Sequence, residues 1–332
     1  WAVSGNGTPK KKVGIVHATV PGLIISVACK TAPHRRIFQM KSKNCLTKPC
    51  RFEGLYFKQQ GQHGAVAFIP ALHTDKKGKQ SATLQILTDT GSYLTTFPPE
   101  AYIAYNGNRT IRLENCIFSP RGCKLDLNAD GITAKGVLRY GKSTLPDYDI
   151  MGIFCLMPAL QCRHGIFSLY HRVNGNVTIN GKEYVFHNGT GYIEGDRGRS
   201  FPRRYIWTQC NQNGDCVTLA VADVPVGPTT FTGCIAIVLT GGRQYRLATY
   251  CGAKVLHVSS HSVLIRQGPL LLEARLLQQT PQPLYAPQSG CMNRIIHESL
   301  SSMVRYSLLK DGKPLLCFTS KTASFENAWN TV

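Results

Sequence analysis

Residues 177–186 read Val-Thr-Ile-Asn-Gly-Lys-Glu-Tyr-Val-Phe, and they give the strongest short hairpin signal in the chain. Asn180-Gly181 strongly favours a two-residue hairpin turn, because both residue types tolerate positive φ. Val177–Ile179 and Tyr184–Phe186 flank the turn with β-branched and aromatic residues, which are typical of strands. The stretch therefore predicts an antiparallel β-hairpin.

The same pattern continues on both sides of the hairpin. Short β-branched or aromatic runs alternate with turn residues, and a sustained helical period is scarce. The other predicted strands are Phe52–Gln59, Gly64–Pro70, Ser81–Thr88, Thr110–Phe118, Cys123–Leu127, Thr133–Tyr140, Gly165–Arg172, Arg204–Asn211, Cys216–Val224, Cys234–Leu239, Gln244–Leu247, Lys254–His261, Leu270–Leu277 and Met303–Leu308. One short helix is predicted at Met292–Ser302, after the breaker Gly290. The fold class is therefore all-β.

The length of the chain indicates two packed units. A single hydrophobic core stops growing near about 250–300 residues, and this chain has 332. Residues 141–158 are rich in Gly, Pro and apolar side chains without alternation, which is typical of a connection. We predict two antiparallel β-barrel or sandwich domains, at residues 13–150 and 151–332.

The charge and the apolar runs limit the class of protein. A formal net charge of +20 is consistent with polyanion binding or with an anionic membrane surface, but the basic residues are scattered in twos and threes. We favour a solvated basic surface and expect no specific nucleic-acid binding. No apolar run reaches the roughly 20 residues of a membrane-spanning helix. Val20–Ala28 resembles a signal peptide, but its β-branched residues favour a strand, and we expect a cytoplasmic protein with reduced thiols.

The most specific motif spans residues 191–202 and reads Gly-Tyr-Ile-Glu-Gly-Asp-Arg-Gly-Arg-Ser-Phe-Pro. Together with the Trp-containing strand that follows, it resembles the signature of the tocopherol cyclase-like family. The resemblance implies a pair of lipocalin-like β-barrels and, in the named enzymes, closure of a chromanol ring from a prenylated quinol. Relatives of the wider fold include hydratases and cycloaddition enzymes. The added arginines Arg197, Arg199, Arg203 and Arg204 suggest a different, anionic substrate.

Carboxyl groups are the natural catalysts for such chemistry, because protonation of an alkene carbon needs an acid kept neutral by apolar surroundings. Glu194 and Asp196 have the same alternation parity at the end of an apolar strand, so both can face one pocket. The alternative is that they pair with nearby arginines to hold a tight turn. Glu53 and His164 are further catalytic candidates, with a salt bridge and a structural histidine as the respective alternatives.

Aromatic side chains near these acids are candidates for the pocket wall, where ring faces stabilise a developing positive charge. The predicted ligand-binding residues are Tyr56, Tyr170, His171, Tyr192, Arg199, Tyr205 and Trp207. Aromatic residues on strands also form ordinary β-protein cores, and that alternative stays open.

Motifs for other chemistry are lacking. The sequence has no zinc-type Cys or His spacing, no phosphate loop and no nucleophile elbow, so we expect neither metal nor cofactor. Three functions follow from the residues. The first is a cofactor-independent cyclase, isomerase or hydratase acting on a hydrophobic or amphipathic small molecule. The second is a lipocalin-like carrier of such a ligand, and the third is a polyanion-binding module.

Overall fold

The computed structural model describes residues 15–20, 23–28, 50–105, 109–129, 131–156, 160–226 and 229–329. Before residue 50, the backbone forms β1 (Ile15–Val20) and β2 (Leu23–Ala28), which pair in antiparallel fashion. The run Val20–Ala28 was predicted as one strand, but Val20 ends β1 and Leu23–Ala28 form β2. Among the described residues, no helix is long and apolar enough to span a membrane.

The first large sheet has eleven antiparallel strands. They are β3 (Arg51–Gly61), β4 (Gly64–Thr74), β5 (Gln80–Thr88), β6 (Ser92–Phe97), β7 (Tyr102–Tyr105), β8 (Thr110–Leu113), β9 (Cys116–Ser119), β10 (Gly122–Ala129), β11 (Ile132–Tyr140), β12 (Cys162–Ile179) and β13 (Lys182–Gly198). Their spatial order is β6-β5-β4-β3-β13-β12-β11-β10-β9-β8-β7. The sheet is therefore two meanders joined where β13 pairs with β3.

The second large sheet is formed by the strands that follow Gly198. Its strands are β14 (Tyr205–Gln212), β15 (Asp215–Val226), β16 (Thr229–Thr240), β17 (Arg243–Ala248), β18 (Lys254–Ser259), β19 (Ser262–Gln267), β20 (Leu270–Gln278), β21 (Gln282–Gln288), β22 (Cys291–Lys310) and β23 (Lys313–Asn327). Their order is β17-β16-β15-β14-β23-β22-β20-β19-β18, and β21 pairs with the early part of β22. Three short 3-10 helices lie at Pro99–Ala101, Gly152–Leu156 and Thr249–Cys251.

The all-β prediction and the lipocalin-like fold are confirmed, with a correction to the predicted barrels. Neither large sheet closes on itself among the described residues, since each keeps two unpaired edges. Each sheet instead curls around a core of its own. Phe57 and Phe68 pack with Phe118 in the first core, and Val221 and Tyr306 belong to the second core.

The hairpin predicted at residues 177–186 is confirmed. Ile179 pairs with Lys182, and the turn residues Asn180 and Gly181 have φ of 45° and 80°. Positive φ at both positions is what a two-residue turn between twisted strands requires.

The helix predicted at Met292–Ser302 is wrong, because these residues lie within β22. Ile295 is 53% exposed and the adjacent Ile296 is 3% exposed, so consecutive side chains face opposite sides, as in a strand. Ile296 pairs with Leu284 of β21. In the sequence, the adjacent isoleucines were placed together on the apolar face of a helix. In the strand, their side chains lie on opposite faces of the sheet.

The chain passes from the first sheet to the second between Gly198 and Tyr205. The domain division at residues 150 and 151 stays a prediction. Where the two sheets face each other, a third apolar cluster forms with members from both, including Tyr56, Tyr192 and Trp207. This interface positions the candidate site.

Candidate active site

A cavity of about 210 Å³ opens between the two sheets. Most of its wall is apolar, with Phe52 from β3, Phe201 from the segment before β14, Trp207 from β14 and Phe231 from β16. The 3-10 helix Gly152–Leu156 adds Phe154. A wall of this kind excludes water from the few polar groups that reach it.

The first polar group of the cavity is a triad of His164, Glu194 and Asp196. His164 on β12 pairs in register with Asp196 on β13, and Glu194 lies two positions earlier on the same face of β13. The imidazole Nδ1 is 3.0 Å from Asp196 Oδ1, and its Nε2 is 3.4 Å from Glu194 Oε2. All three side chains line the cavity. The parity prediction for the two acids is therefore confirmed in position.

The protonation states of the triad follow from burial and mutual charge. Burial raises the pKa of Glu194, His164 opposes that rise and Asp196 adds to it, and the resulting pKa is about 7. Burial lowers the pKa of His164, but Glu194 and Asp196 outweigh it, so the pKa of the imidazole rises to about 9. At neutral pH the imidazole is therefore protonated, and Glu194 can carry a proton.

Tyr192 holds Glu194 from behind the cavity wall. Its hydroxyl donates a 2.6 Å hydrogen bond to Glu194 Oε2 and lies 3.2 Å from Thr218 Oγ1. Tyr192 is fully buried and is not among the residues that line the cavity. It was predicted to bind ligand, but the structure gives it a positioning contact with the acid.

Two further carboxyls, Glu298 and Glu326, reach the cavity from the second sheet. They are directly opposite each other in the register of β22 and β23. Tyr56 donates a 2.5 Å hydrogen bond to Glu298 Oε1, and Tyr205 donates one to Glu326 Oε1. Each of the three cavity glutamates thus accepts a hydrogen bond from a tyrosine.

Burial dominates the electrostatics of this pair as well. It raises the pKa of Glu298 to about 7, against the opposing effects of the Tyr56 hydrogen bond and the Lys58 charge. Burial also raises the pKa of Glu326 well above its ordinary value, and Glu194 and Asp196 add to that rise. The cavity therefore combines apolar walls with carboxyl groups that can stay neutral near neutral pH.

The aromatic wall predicted from the sequence is partly present. Tyr56, Tyr205 and Trp207 line the cavity, and the rings of Tyr56 and Trp207 meet edge to face at 5.6 Å. Trp207 is 6% exposed, and its Nε1 has no hydrogen-bond partner among the described residues. A bound ligand with an acceptor oxygen could satisfy that donor.

Glu53, predicted as catalytic, lies away from the cavity. It pairs with Arg197, whereas its neighbour Gly54 pairs with Asp196, so Glu53 is on the opposite face of β3. Burial raises the pKa of Glu53, and the charges of Arg197 and Arg51 oppose that rise. The carboxyl therefore cannot meet a ligand held beside Glu194.

Three predicted ligand-binding residues also lie outside the cavity wall. Bulges in β12 between Ile166 and His171 change the facing of Tyr170 and His171. The His171 ring packs on Tyr140 at 4.5 Å, and burial lowers its pKa to about 4. Arg199 is exposed just beyond the end of β13. Arg199, the predicted contact for an anionic substrate, therefore does not line the cavity.

The sequence pattern did not indicate Glu298 and Glu326 as site residues. Each is a single acidic residue in a run of small or apolar residues, and such a pattern predicts a buried carboxyl group. Glu298 fell within the predicted helix, and no strand was predicted over Glu326.

The triad also has ligand atoms that could hold a metal ion, since those of His164, Glu194 and Asp196 lie within 4.8 Å of one another. However, both imidazole nitrogens face carboxyl oxygens. Nδ1 contacts Asp196, and Nε2 contacts Glu194.

Comparison with known proteins supports the resemblance. The sequence profile of the tocopherol cyclase-like family matches residues 131–231, which contain the triad and the motif at 191–202. The family resemblance seen in the motif is therefore confirmed for this part of the chain. No curated protein matches the sequence.

Solved structures support the fold. A protein from Nitrosomonas europaea provisionally called AttH is 11% identical with a TM-score of 0.50, over 85% of this chain and 93% of that one. CghA, solved with Sch210972, is 11% identical with a TM-score of 0.53, over 85% of this chain and 89% of that one. Kievitone hydratase from Nectria haematococca is 10% identical with a TM-score of 0.46, over 86% and 90% of the two chains. At these identities the first two likenesses concern the fold, and the third carries no argument.

Proposed function

We propose that the protein is a cofactor-independent enzyme that cyclises, isomerises or hydrates a hydrophobic small molecule in the cavity, with Glu194 as the acid. The observation that carries this proposal is the place of Glu194. Its carboxyl lies on an apolar cavity, held by Tyr192 on one side and by His164 on the other. A cyclase or hydratase is also consistent with the family match and the fold.

The first step is proton transfer from the neutral Glu194 carboxyl to an alkene carbon of the ligand. The new C–H bond leaves a carbocation on the neighbouring carbon and a carboxylate on Glu194. This carboxylate remains beside the protonated His164, which offsets part of the cost that burial imposes on the negative charge. The ring faces of Trp207 and Tyr56 stabilise the cation on the ligand side.

The second step consumes the cation. Attack by a hydroxyl of the same ligand closes a ring, attack by water gives a hydrated product, and loss of a neighbouring proton gives an isomer. Each route releases one proton, which a cavity carboxylate accepts. Glu194 is the first acceptor, because this restores the starting acid, and Glu298 is near enough to influence its pKa.

The ligand that this cavity suits is largely apolar. No Lys or Arg side chain is among the described residues that line it, and the protonated His164 already faces two carboxyl groups, so an anionic ligand group would lack a free counter-charge. Arg197, Arg199, Arg203 and Arg204 lie outside that wall. We therefore propose a neutral hydrophobic ligand with an alkene and a hydrogen-bonding oxygen.

The test starts with native mass spectrometry of the protein purified from an extract of its host. Any retained small molecule is then incubated with wild type and with Glu194→Gln. We expect wild type to convert the ligand into an isomer or a hydrate. Glu194→Gln should still bind the ligand, but its rate of product formation should be at least about 100-fold lower. Glu53→Gln is the matched control, since it removes a buried acid on the opposite face of the sheet.

A carrier is the alternative function, because an apolar cavity would hold a ligand without changing it. Return of the ligand unchanged by wild type and by both variants would establish the carrier. Equal loss of rate in Glu53→Gln and Glu194→Gln would show a general effect on folding and would contradict the role given to Glu194.

A further inference from the structure

The outer side of the second sheet carries a concentration of cations, which we call the basic face. Exposed basic side chains come from four of its strands: Lys254 on β18, Arg266 on β19, Arg275 on β20 and Arg305 on β22. Residues between them, such as Ile265 and Ala274, point into the core. Lys321 on β23 extends the set.

The strand register places like charges side by side on this face. Lys254 lies directly opposite Arg266, and Arg275 lies directly opposite Arg305. Like charges at directly opposed positions destabilise a sheet. These residues therefore weaken the isolated protein slightly, and an anionic partner would remove that cost.

Acidic compensation within the protein is small. Glu273 forms a 2.8 Å salt bridge with Arg275. Among the described residues, Lys254, Arg266, Arg305 and Lys321 form no salt bridge with a carboxylate. Charges on an edge strand also prevent edge-to-edge aggregation, but that explanation covers only β18. Arg275 and Arg305 lie on interior strands.

Leucines accompany the cations. Leu277, two positions after Arg275, is 51% exposed, and Leu256 on β18 is 47% exposed. Leu264, Leu271 and Leu309 are half-buried and continue the rows of Arg266 and Arg275. Single-stranded nucleic acid is bound by aromatic platforms, whereas leucine beside arginine suits lipid headgroups above acyl chains.

We propose that the basic face docks the protein onto an anionic lipid surface. The cations meet lipid phosphates or carboxylates, and the exposed leucines enter the boundary between headgroups and acyl chains. The proposal concerns the second sheet and is independent of the chemistry in the cavity. It accounts for part of the +20 net charge that the candidate active site does not use.

The test is flotation of the full chain with vesicles of phosphatidylcholine, with and without about one third phosphatidylserine. We expect binding only to the anionic vesicles and a loss of binding as salt is raised. In Arg275→Gln/Arg305→Gln the affinity should fall about 30-fold, since two basic contacts are removed. Arg112→Gln/Lys124→Gln on the first sheet is the matched control, because both residues are exposed and they flank the same residue, Ile117 of β9.

The outcomes separate the possibilities. An equal loss in both double variants would show that net charge, and not this face, drives binding, and would overturn the proposal. So would absence of binding to anionic vesicles, or a duplex DNA competitor that binds more tightly than the vesicles. Circular dichroism of each variant confirms that the fold is retained.

Discussion

Glu298 and Glu326 lie directly opposite each other on neighbouring strands, and each accepts a hydrogen bond from a tyrosine of a different strand. Two ionised carboxylates in this register would repel each other in an apolar interface. The raised pKa values of both groups resolve the conflict, because a neutral carboxyl needs no counter-charge. The cavity is therefore built around acids in their protonated form.

Stability should fall as the pH rises toward neutrality. The pKa of Glu298 is about 7 in the folded protein, against 4.5 for the ordinary group. The folded state thus binds this proton more tightly, and the stabilisation is complete below about pH 4.5 and is lost as pH rises through 7. Between pH 5 and about pH 7 the free energy of unfolding of Glu298→Gln should fall less than that of wild type, by roughly 2 kcal/mol.

Urea unfolding at several pH values measures this difference. Glu100→Gln is the control, because Glu100 is exposed at the start of a 3-10 helix. Parallel stability curves for wild type and Glu298→Gln would show that folding does not raise the pKa of Glu298, and would contradict this prediction.

Removal of the Tyr192 hydroxyl should make Glu194 a weaker acid. The 2.6 Å hydrogen bond from Tyr192 opposes the effect of burial on the pKa of Glu194. We expect Tyr192→Phe to move that pKa above 7, with the fold preserved. Carbon-13 NMR titration of the Glu194 carboxyl measures it. Tyr184→Phe, elsewhere on β13, serves as the control, and an equal change there would contradict a direct contact.

The Tyr56–Glu298 contact should couple the two sheets. Tyr56→Phe removes a buried donor and leaves a carboxyl oxygen unpaired, which costs about 1–3 kcal/mol of folding stability. In a double-mutant cycle with Glu298→Gln, we expect a coupling energy of about 1 kcal/mol, measured by chemical denaturation. The same cycle between Tyr56→Phe and Glu53→Gln should give no coupling, since Glu53 faces the other side of β3.

Gly195 separates the two acids of the triad, and the space beside it is filled. A Cβ at this position would lie 2.5 Å from Leu55 Cδ2 and 2.9 Å from the Gly54 carbonyl oxygen. Gly195→Ala should therefore destabilise the protein by about 1–3 kcal/mol in thermal unfolding. Gly141→Ala, whose Cβ would meet nothing closer than 3.4 Å, should cost much less. Equal effects would show that Gly195 is not tightly packed.

Local patterns predicted much of the fold. The Asn180-Gly181 turn specified its hairpin, and strict alternation placed Glu194 and Asp196 on one face of β13. The same alternation also separates Glu53 from Tyr56, which are three positions apart on β3, so the error on Glu53 was avoidable.

Long-range pairing set the rest of the site. Glu298 and Glu326 meet Tyr56 and Tyr205 across the interface between the sheets, and no local pattern encodes that contact. The bulges of β12 that turn His171 away from the cavity depend on its pairing with β13. Whether a sheet closes into a barrel likewise depends on how its edges meet, and the strand pattern does not specify it.

The most direct measurement of the proposed role of Glu194 is the reaction of the retained ligand in deuterium oxide, followed by mass spectrometry of the product. Proton transfer from a solvent-exchanged carboxyl places one deuterium on carbon. With wild type and with Glu53→Gln, we therefore expect the product mass to increase by one unit that does not exchange back in water. Glu194→Gln should form almost no product. Product without carbon-bound deuterium, or labelled product formed at an undiminished rate by Glu194→Gln, would contradict acid catalysis by Glu194.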